Sequence, residues 1–113
     1  MVEDDAKSGR LDALLLELRR GALVLAVLAQ LDKEEYGYSL KRGLADAGLE
    51  IDEGTLYPLL RRLEGQGLLT SEWLIAEGRP RRYYRISLEG RRIRTALAGE
   101  WKNLNHVMKG LLP

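Results

Sequence analysis

The sequence contains no cysteine and only one histidine, His106. The absence of cysteine excludes disulfides, thiolate metal sites and thiol nucleophiles. A single histidine without a cluster of carboxylates is no basis for a metal site. No glycine-rich phosphate loop follows a predicted strand, and no histidine–carboxylate constellation suits catalysis. We therefore expect a protein that is not an enzyme and that has no cofactor.

Long hydrophobic runs are also missing. The longest apolar run, Ala22–Ala29, is too short to span a bilayer. The N-terminus carries Glu3, Asp4 and Asp5 where a secretory signal would carry basic residues. These features predict a cytoplasmic protein without a membrane partner. The 113 residues, 45% of them hydrophobic, suit one domain with a modest core.

Charge is nearly balanced overall but unevenly distributed. The net charge is only +1, yet seven of the eighteen basic residues lie between Arg79 and Arg94. Glu89 is the only acidic residue in that segment. A segregated basic patch creates a local field that the total charge hides. The segment therefore suits a polyanionic partner.

Hydrophobic spacing predicts three helices in the first half of the chain. The first covers Leu11–Leu31, and Gly21 is a candidate break between a leading helix and a main one. A polar connection, DKEEYG, precedes a second helix over Tyr38–Leu49, in which Gly48 is a candidate C-terminal stop. The third helix is expected to start at about Glu53, after the N-cap residue Asp52.

The third helix contains a proline, Pro58. Inside a helix a proline removes a hydrogen bond and costs roughly 3 kcal/mol. At 100° per residue, the leucines point one way while Gly54, Pro58 and Arg61 point the other way. An outer face with such small side chains allows another macromolecule to approach the helix backbone closely. We expect the kink at Pro58 to set how the side chains of Tyr57 and Arg61 contact that macromolecule.

The second half of the chain predicts a β-hairpin followed by a long helix. Two β-prone runs, Leu68–Ile75 and Arg81–Ser87, flank the turn-rich segment AEGRP. Ser87 is expected to cap a helix that continues to about Leu111. The apolar residues of this helix step by 4, 4, 3, 4 and 3, which is close to a heptad seam. We expect these residues to form a homodimer interface with two leucines of the first helix. The full set is Leu11, Leu15, Ile93, Leu97, Trp101, Leu104, Met108 and Leu111.

Three helices followed by a two-stranded hairpin are the arrangement of a winged helix-turn-helix. In this module the third helix enters the DNA major groove, and the hairpin reaches the neighbouring backbone or minor groove. The predicted fold is mainly α with a small β-hairpin: a leading helix (residues 1–18), a winged helix (19–87) and a C-terminal dimerisation helix (88–113). Residues suited to phosphates and base edges are the candidate contacts to double-stranded DNA. They are Tyr36, Thr55, Tyr57, Pro58, Arg61, Arg62, Arg79, Arg81 and Arg82.

Four motifs occur in order along this region: YGYSL (36–40), GTLYPLLRRLEGQGLL (54–69), SEW (71–73) and RPRRYYRISLEGRR (79–92). Together they resemble the PadR family of bacterial transcriptional regulators, in the short form with a single C-terminal dimerisation helix. The resemblance implies a winged helix that binds operator DNA as a homodimer and usually represses genes. Some members bind flat hydrophobic ligands between the subunits, so Trp101 and Leu97 are candidate effector-binding residues.

Several of these interpretations have a plainer alternative. Arg61 and Arg62 could be solvated surface charges, and Tyr36 could pack beneath the third helix instead of meeting a phosphate. Trp101 could be dimer core, a ligand platform, or both. For the whole protein, the alternative is a winged helix used for protein–protein contact without DNA binding, because fold does not settle function.

Overall fold

The order of helices and strands is that of a winged helix with a long C-terminal helix. The computed structural model describes residues 5–113, with side chains described from residue 9 onward, so residues 1–4 of the predicted leading segment lie outside it. Its helices are α1 (Asp5–Gln30), α2 (Gly37–Asp46), α3 (Glu53–Gly65) and α4 (Leu88–Leu111). Its strands are β1 (Glu35–Tyr36), β2 (Leu69–Ala76) and β3 (Arg79–Ile86). None of the helices described is long and apolar enough to cross a membrane.

Helix α1 continues through Gly21 without interruption, so no break separates a leading helix from a main one. A glycine inside a helix costs roughly 0.5–1 kcal/mol relative to alanine. The residues that follow offset this cost, because Leu23, Val27 and Leu28 are buried in the core. Burying one such side chain contributes about 1.5–3 kcal/mol. Tertiary packing therefore outweighs the local weakness at Gly21.

One hydrophobic core joins α1, α2, α3 and the sheet. The leucine face predicted for α3 is confirmed, and Pro58 on the opposite face is exposed. The core residues are Leu23, Val27, Leu28, Leu31, Leu40, Leu44, Leu56, Leu59, Leu60, Leu63, Leu69, Tyr84 and Ile86. Because α3 buries only its leucine face, its other face is available to a partner.

Strand β1 lies in the polar segment that the sequence indicated only as a connection. It pairs antiparallel with β3, with Glu35 opposite Tyr84 and Tyr36 opposite Tyr83. The sheet therefore has three strands in the order β1-β3-β2. This short strand attaches the start of α2 to the hairpin.

The hairpin turn is shorter than the predicted AEGRP segment. Strands β2 and β3 stay paired up to Ala76 opposite Arg79, which leaves a two-residue loop of Glu77 and Gly78. Both loop residues have positive φ, 54° and 75°, as a type I′ turn requires. Pro80 belongs to β3, where its missing N–H costs no ladder bond because β1 does not reach that far.

Helix α4 is fixed to the winged helix at its N-terminal end. As predicted, Ser87 caps it: the Ser87 hydroxyl accepts a hydrogen bond from the backbone N–H of Gly90 at 2.9 Å and donates to the carbonyl of Gly67 at 2.6 Å. Asp32 accepts hydrogen bonds from Arg91 and Arg94, each at 2.9 Å. The hydrogen bond from Arg94 and the charge of Arg91 lower the pKa of Asp32.

Candidate nucleic-acid interface

The outer face of α3 is exposed along its length. Gly54, Pro58, Arg61, Arg62 and Gly65 all lie on the solvent side. Three of these residues, Gly54, Pro58 and Gly65, have small or compact side chains, so the backbone of α3 is accessible on both sides of the adjacent arginines. The geometry of the face is therefore the one that the spacing predicted.

The N-terminus of α3 is less open than predicted. Asp52 holds the N-cap position, but its carboxylate makes no bond to a backbone N–H of the helix. It accepts the hydroxyl proton of Thr55 instead, at 2.6 Å. Thr55 is half-buried, and its only hydroxyl proton is already used. A phosphate oxygen needs a donor, so Thr55 would have to release Asp52 to bind one.

Tyr57 lies where α3 meets the start of α2. Its ring packs against Gly37 so closely that a Cβ on Gly37 would lie 2.6 Å from the Tyr57 Cε1 atom. A side chain at position 37 would therefore require the Tyr57 ring to move. Burial, followed by the charge of Glu53, raises the pKa of the Tyr57 phenol. The neutral phenol keeps its proton and can donate a hydrogen bond.

Tyr36 and Arg81 form a contact between β1 and the hairpin. The Arg81 guanidinium carbon lies 4.4 Å from the centre of the Tyr36 ring, a cation–π distance. The rings of Tyr36 and Tyr83 meet edge to face with centroids 5.4 Å apart. Tyr36 therefore packs against the hairpin and remains half-exposed, so its contact with a phosphate stays a prediction.

The three hairpin arginines selected from the sequence lie at different distances from the turn. Arg79 flanks the turn and is exposed. Arg82 lies opposite Trp73, farther from the turn, and its Nη2 atom donates to the Glu64 carboxylate of α3 at 3.1 Å. Arg81 lies between them, with the Glu77 carboxylate 3.9 Å away. Arg79 is therefore the hairpin arginine most open to an approaching phosphate.

An open cleft of about 700 Å³ separates the hairpin from α3 and the start of α2. Its lining includes six of the nine predicted DNA contacts, namely Tyr36, Tyr57, Arg61, Arg79, Arg81 and Arg82. Thr55, Pro58 and Arg62 lie outside it. The cleft also includes Tyr38 and Trp73, which the sequence reasoning did not select. The SEW motif and the alternation of Ser71, Trp73 and Ile75 along β2 were the signals for Trp73.

A second surface, which we call the apolar face, lies along α1 and the C-terminal half of α4. Of the predicted interface residues, Leu11, Leu104, Met108 and Leu111 are exposed, and Trp101 is 52% exposed. Leu15 is half-buried. Ile93 and Leu97 differ, because they also pack against the core of their own chain. A groove of about 400 Å³ runs between the two helices, and both Leu97 and Trp101 line it.

The family model described as Transcriptional regulator PadR-like family matches residues 24–96. This range includes α2, α3, the whole sheet and the start of α4. The chain is also similar to Transcriptional regulator Rv3488 of Mycobacterium tuberculosis (strain ATCC 25618 / H37Rv). The two are 42% identical over 97 residues, which cover 85% of this chain and 88% of that protein.

Solved structures of the same family share the fold. A PadR family transcriptional regulator from Eggerthella lenta DSM 2243 has a TM-score of 0.85 at 46% identity, covering 96% of this chain and 97% of that chain. A PadR-like transcriptional regulator from Bacillus cereus has a TM-score of 0.77 at 27% identity, covering 85% and 96%. A winged helix followed by a long C-terminal helix therefore belongs here to a family of regulators rather than of enzymes. The chain is a member of the PadR-like family of DNA-binding transcriptional regulators.

Proposed function

We propose that this regulator represses transcription by binding, as a homodimer, to an operator with two-fold symmetry. In this proposal residues 19–87 form the DNA-binding unit and residues 88–113 the dimerisation helix. The observation that carries the proposal is the cleft between the hairpin and α3, which gathers guanidinium and phenol groups from separate parts of the chain. Such donors suit the phosphate oxygens and base edges of duplex DNA.

Helix α3 is the element that we assign to the major groove. Arg61 and Arg62 are exposed, and Pro58 and Gly65, which flank them on the outer face, are small or compact. An arginine can donate two hydrogen bonds to a guanine, which is worth about 1–3 kcal/mol of discrimination. We assign base contact to Arg61, and phosphate contact to Arg79 at the hairpin turn.

The dimer is supported by the apolar face. Large hydrophobic side chains exposed together on one surface mark interaction sites in folded proteins. The stepping of Trp101, Leu104 and Met108 along α4 suits a helix of a second subunit. Trp101→Asp should therefore shift the protein toward monomer in sedimentation velocity. Gly99→Ala, on the opposite side of α4, is the matched control.

The groove within the apolar face also supports an effector site. Its volume of about 400 Å³ lies in the usual range of small-molecule sites, about 300–1,000 Å³. We propose that a small hydrophobic molecule binds there, against Trp101 and Leu97, and weakens operator binding. Quenching of Trp101 fluorescence in a Trp73→Phe background would report such binding directly.

Selection of bound duplexes from random DNA tests the main proposal. We expect an inverted repeat whose half-sites lie about one helical turn, ~34 Å, apart. Arg61→Ala should change the preferred bases, because that residue is assigned to base contact. Repression itself is tested by a reporter gene placed behind the selected operator.

Two results would contradict the DNA-binding proposal. One is the absence of any enriched sequence in the selection. The other is weak retention on a polyanion column at moderate salt, because phosphate contacts make binding strongly salt-dependent. Either result would favour the alternative function, a winged helix that binds another protein.

A further inference from the structure

Arg82, Ser71 and Glu64 form a closed ring of hydrogen bonds that joins the hairpin to α3. Arg82 Nη2 donates to Glu64 Oε1 at 3.1 Å, and Arg82 Nε donates to the Ser71 hydroxyl at 3.0 Å. The Ser71 hydroxyl in turn donates to Glu64 Oε2. The three residues belong to β3, β2 and α3, so the ring spans all three elements.

The same guanidinium is also held by two aromatic rings. It lies 5.7 Å from the ring centre of Trp73 and 5.9 Å from that of Tyr84. The side chains of Arg82 and Glu64 are 40% and 27% exposed, so water screens the pair only in part. Arg82 is therefore fixed by a carboxylate, a hydroxyl and two rings. For Arg79, by contrast, no carboxylate lies within salt-bridge distance in the part of the chain described.

We propose that Glu64 and Arg82 are a positioning pair, which fixes the hairpin against the recognition helix α3, and that Arg82 is not a phosphate contact. This inference rests on the proposed DNA-binding function. It also replaces the role that the sequence predicted for Arg82. A winged helix must reach the major groove and the neighbouring backbone together, so the spacing between α3 and the hairpin determines which DNA geometry fits.

The charge of Glu64 gives this role a measurable consequence. Each phosphate that a protein neutralises releases counterions and adds about 0.9 to the salt slope of binding. Arg82 is already neutralised by Glu64, so it should add nothing to that slope. Its contribution should instead be discrimination between the operator and other duplexes.

The experiment measures affinity for the selected operator and for an unrelated duplex at several salt concentrations. The double variant Glu64→Gln/Arg82→Gln removes both charges of the pair, so it should lower operator affinity about tenfold, as expected for lost charge-assisted hydrogen bonds, and leave the salt slope unchanged. Arg79→Gln, the matched control, should flatten the slope by about 0.9 per subunit. Glu64→Gln should steepen the slope and tighten binding to the unrelated duplex, because it frees the charge of Arg82. A purely structural loss would not tighten any binding.

Hydrogen exchange on the full chain provides a second readout that needs no DNA. Glu64→Gln and Arg82→Gln should both speed exchange of the β2–β3 amides several-fold, because the hairpin loses its attachment to α3. Arg79→Gln should leave those rates unchanged. Unchanged rates in both ring variants would overturn the inference.

The two possible failures are distinguishable. If the double variant Glu64→Gln/Arg82→Gln flattens the salt slope as much as Arg79→Gln does, Arg82 contacts phosphate and the positioning role is wrong, although DNA binding stands. If the wild-type protein binds no duplex at low salt, the proposed function fails and the inference fails with it.

Discussion

Replacing Gly90 with alanine should destabilise the protein, although helix propensity predicts the opposite. Gly90 lies in the first turn of α4 and is buried. A Cβ at this position would collide with the carbonyl oxygen of Leu68 and would lie 2.7 Å from the Ile86 Cγ1 atom. The Leu68 carbonyl is backbone and accepts a hydrogen bond from the Ser87 N–H at 3.0 Å. It cannot rotate away as a flexible side chain could.

The expected magnitude follows from two opposing effects. Overpacking a well-packed site costs about 1–3 kcal/mol. We expect a cost near the upper end of that range, because the added Cβ collides with a backbone atom. Alanine recovers roughly 0.5–1 kcal/mol of helix propensity. Moving α4 outward to relieve the contact would also strain the Ser87 cap, worth about 1 kcal/mol. We therefore expect a net loss of about 2 kcal/mol, or roughly 8 °C in Tm for a chain of this size.

Urea denaturation at fixed protein concentration measures this loss, and Gly99→Ala is the matched control. Gly99 is also in α4, but nothing lies within 4 Å of its missing Cβ. Alanine there should raise the free energy of unfolding by roughly 0.5–1 kcal/mol. Holding the concentration fixed matters because association shifts apparent stability.

The test is that the free energy of unfolding should fall in Gly90→Ala and rise in Gly99→Ala. If Gly90→Ala is as stable as the wild type, the close packing of α4 on the Leu68 backbone is wrong. The attachment of α4 to the winged helix would then need another explanation. If both variants lose stability, the effect would not be specific to the Leu68 contact.

Two further substitutions test other parts of the molecule. Pro58→Ala restores a hydrogen-bond donor to α3 and should raise the free energy of unfolding by up to about 3 kcal/mol. The same variant should bind the operator more weakly. Equal or tighter binding in a fluorescence anisotropy titration would contradict the role of Pro58 in setting how Tyr57 and Arg61 meet DNA. Asp32→Asn should destabilise the protein at pH 7, because the pKa of Asp32 is lowered by Arg94 and Arg91. A carboxyl group whose pKa is lower in the folded state stabilises the fold at pH values above its pKa in the unfolded state. This stabilisation is lost as the pH falls through the pKa of the folded state. Thermal melts of wild type and Asp32→Asn should therefore converge at low pH.

Local patterns predicted most of the helical fold. The start of α3 at Glu53 and the cap at Ser87 followed from residue type and hydrophobic spacing. The buried and exposed faces of α3 followed from its period of 3.6 residues. These features depend on neighbours within one or two turns, so the sequence carries them directly.

The differences arose where distant parts of the chain meet. Strand β1 has two residues in a polar segment, and only its pairing with β3 makes it a strand. Gly21 does not end α1, because Leu23, Val27 and Leu28, which follow it in the same helix, pack into the core formed with the other elements. The paired strands continue up to Ala76 and Arg79, farther than predicted, because Glu77 and Gly78, both with positive φ, are enough to form the turn.

The sequence by itself determined that this chain has a winged helix, a basic hairpin and an apolar seam on its last helix. It could not distinguish Arg79 from Arg82, which are three residues apart in the same strand. Only the tertiary structure decided that Arg82 meets a carboxylate eighteen residues away, while Arg79 faces solvent. The physical reason is that charge neutralisation depends on distance in space, which periodicity along one element does not specify.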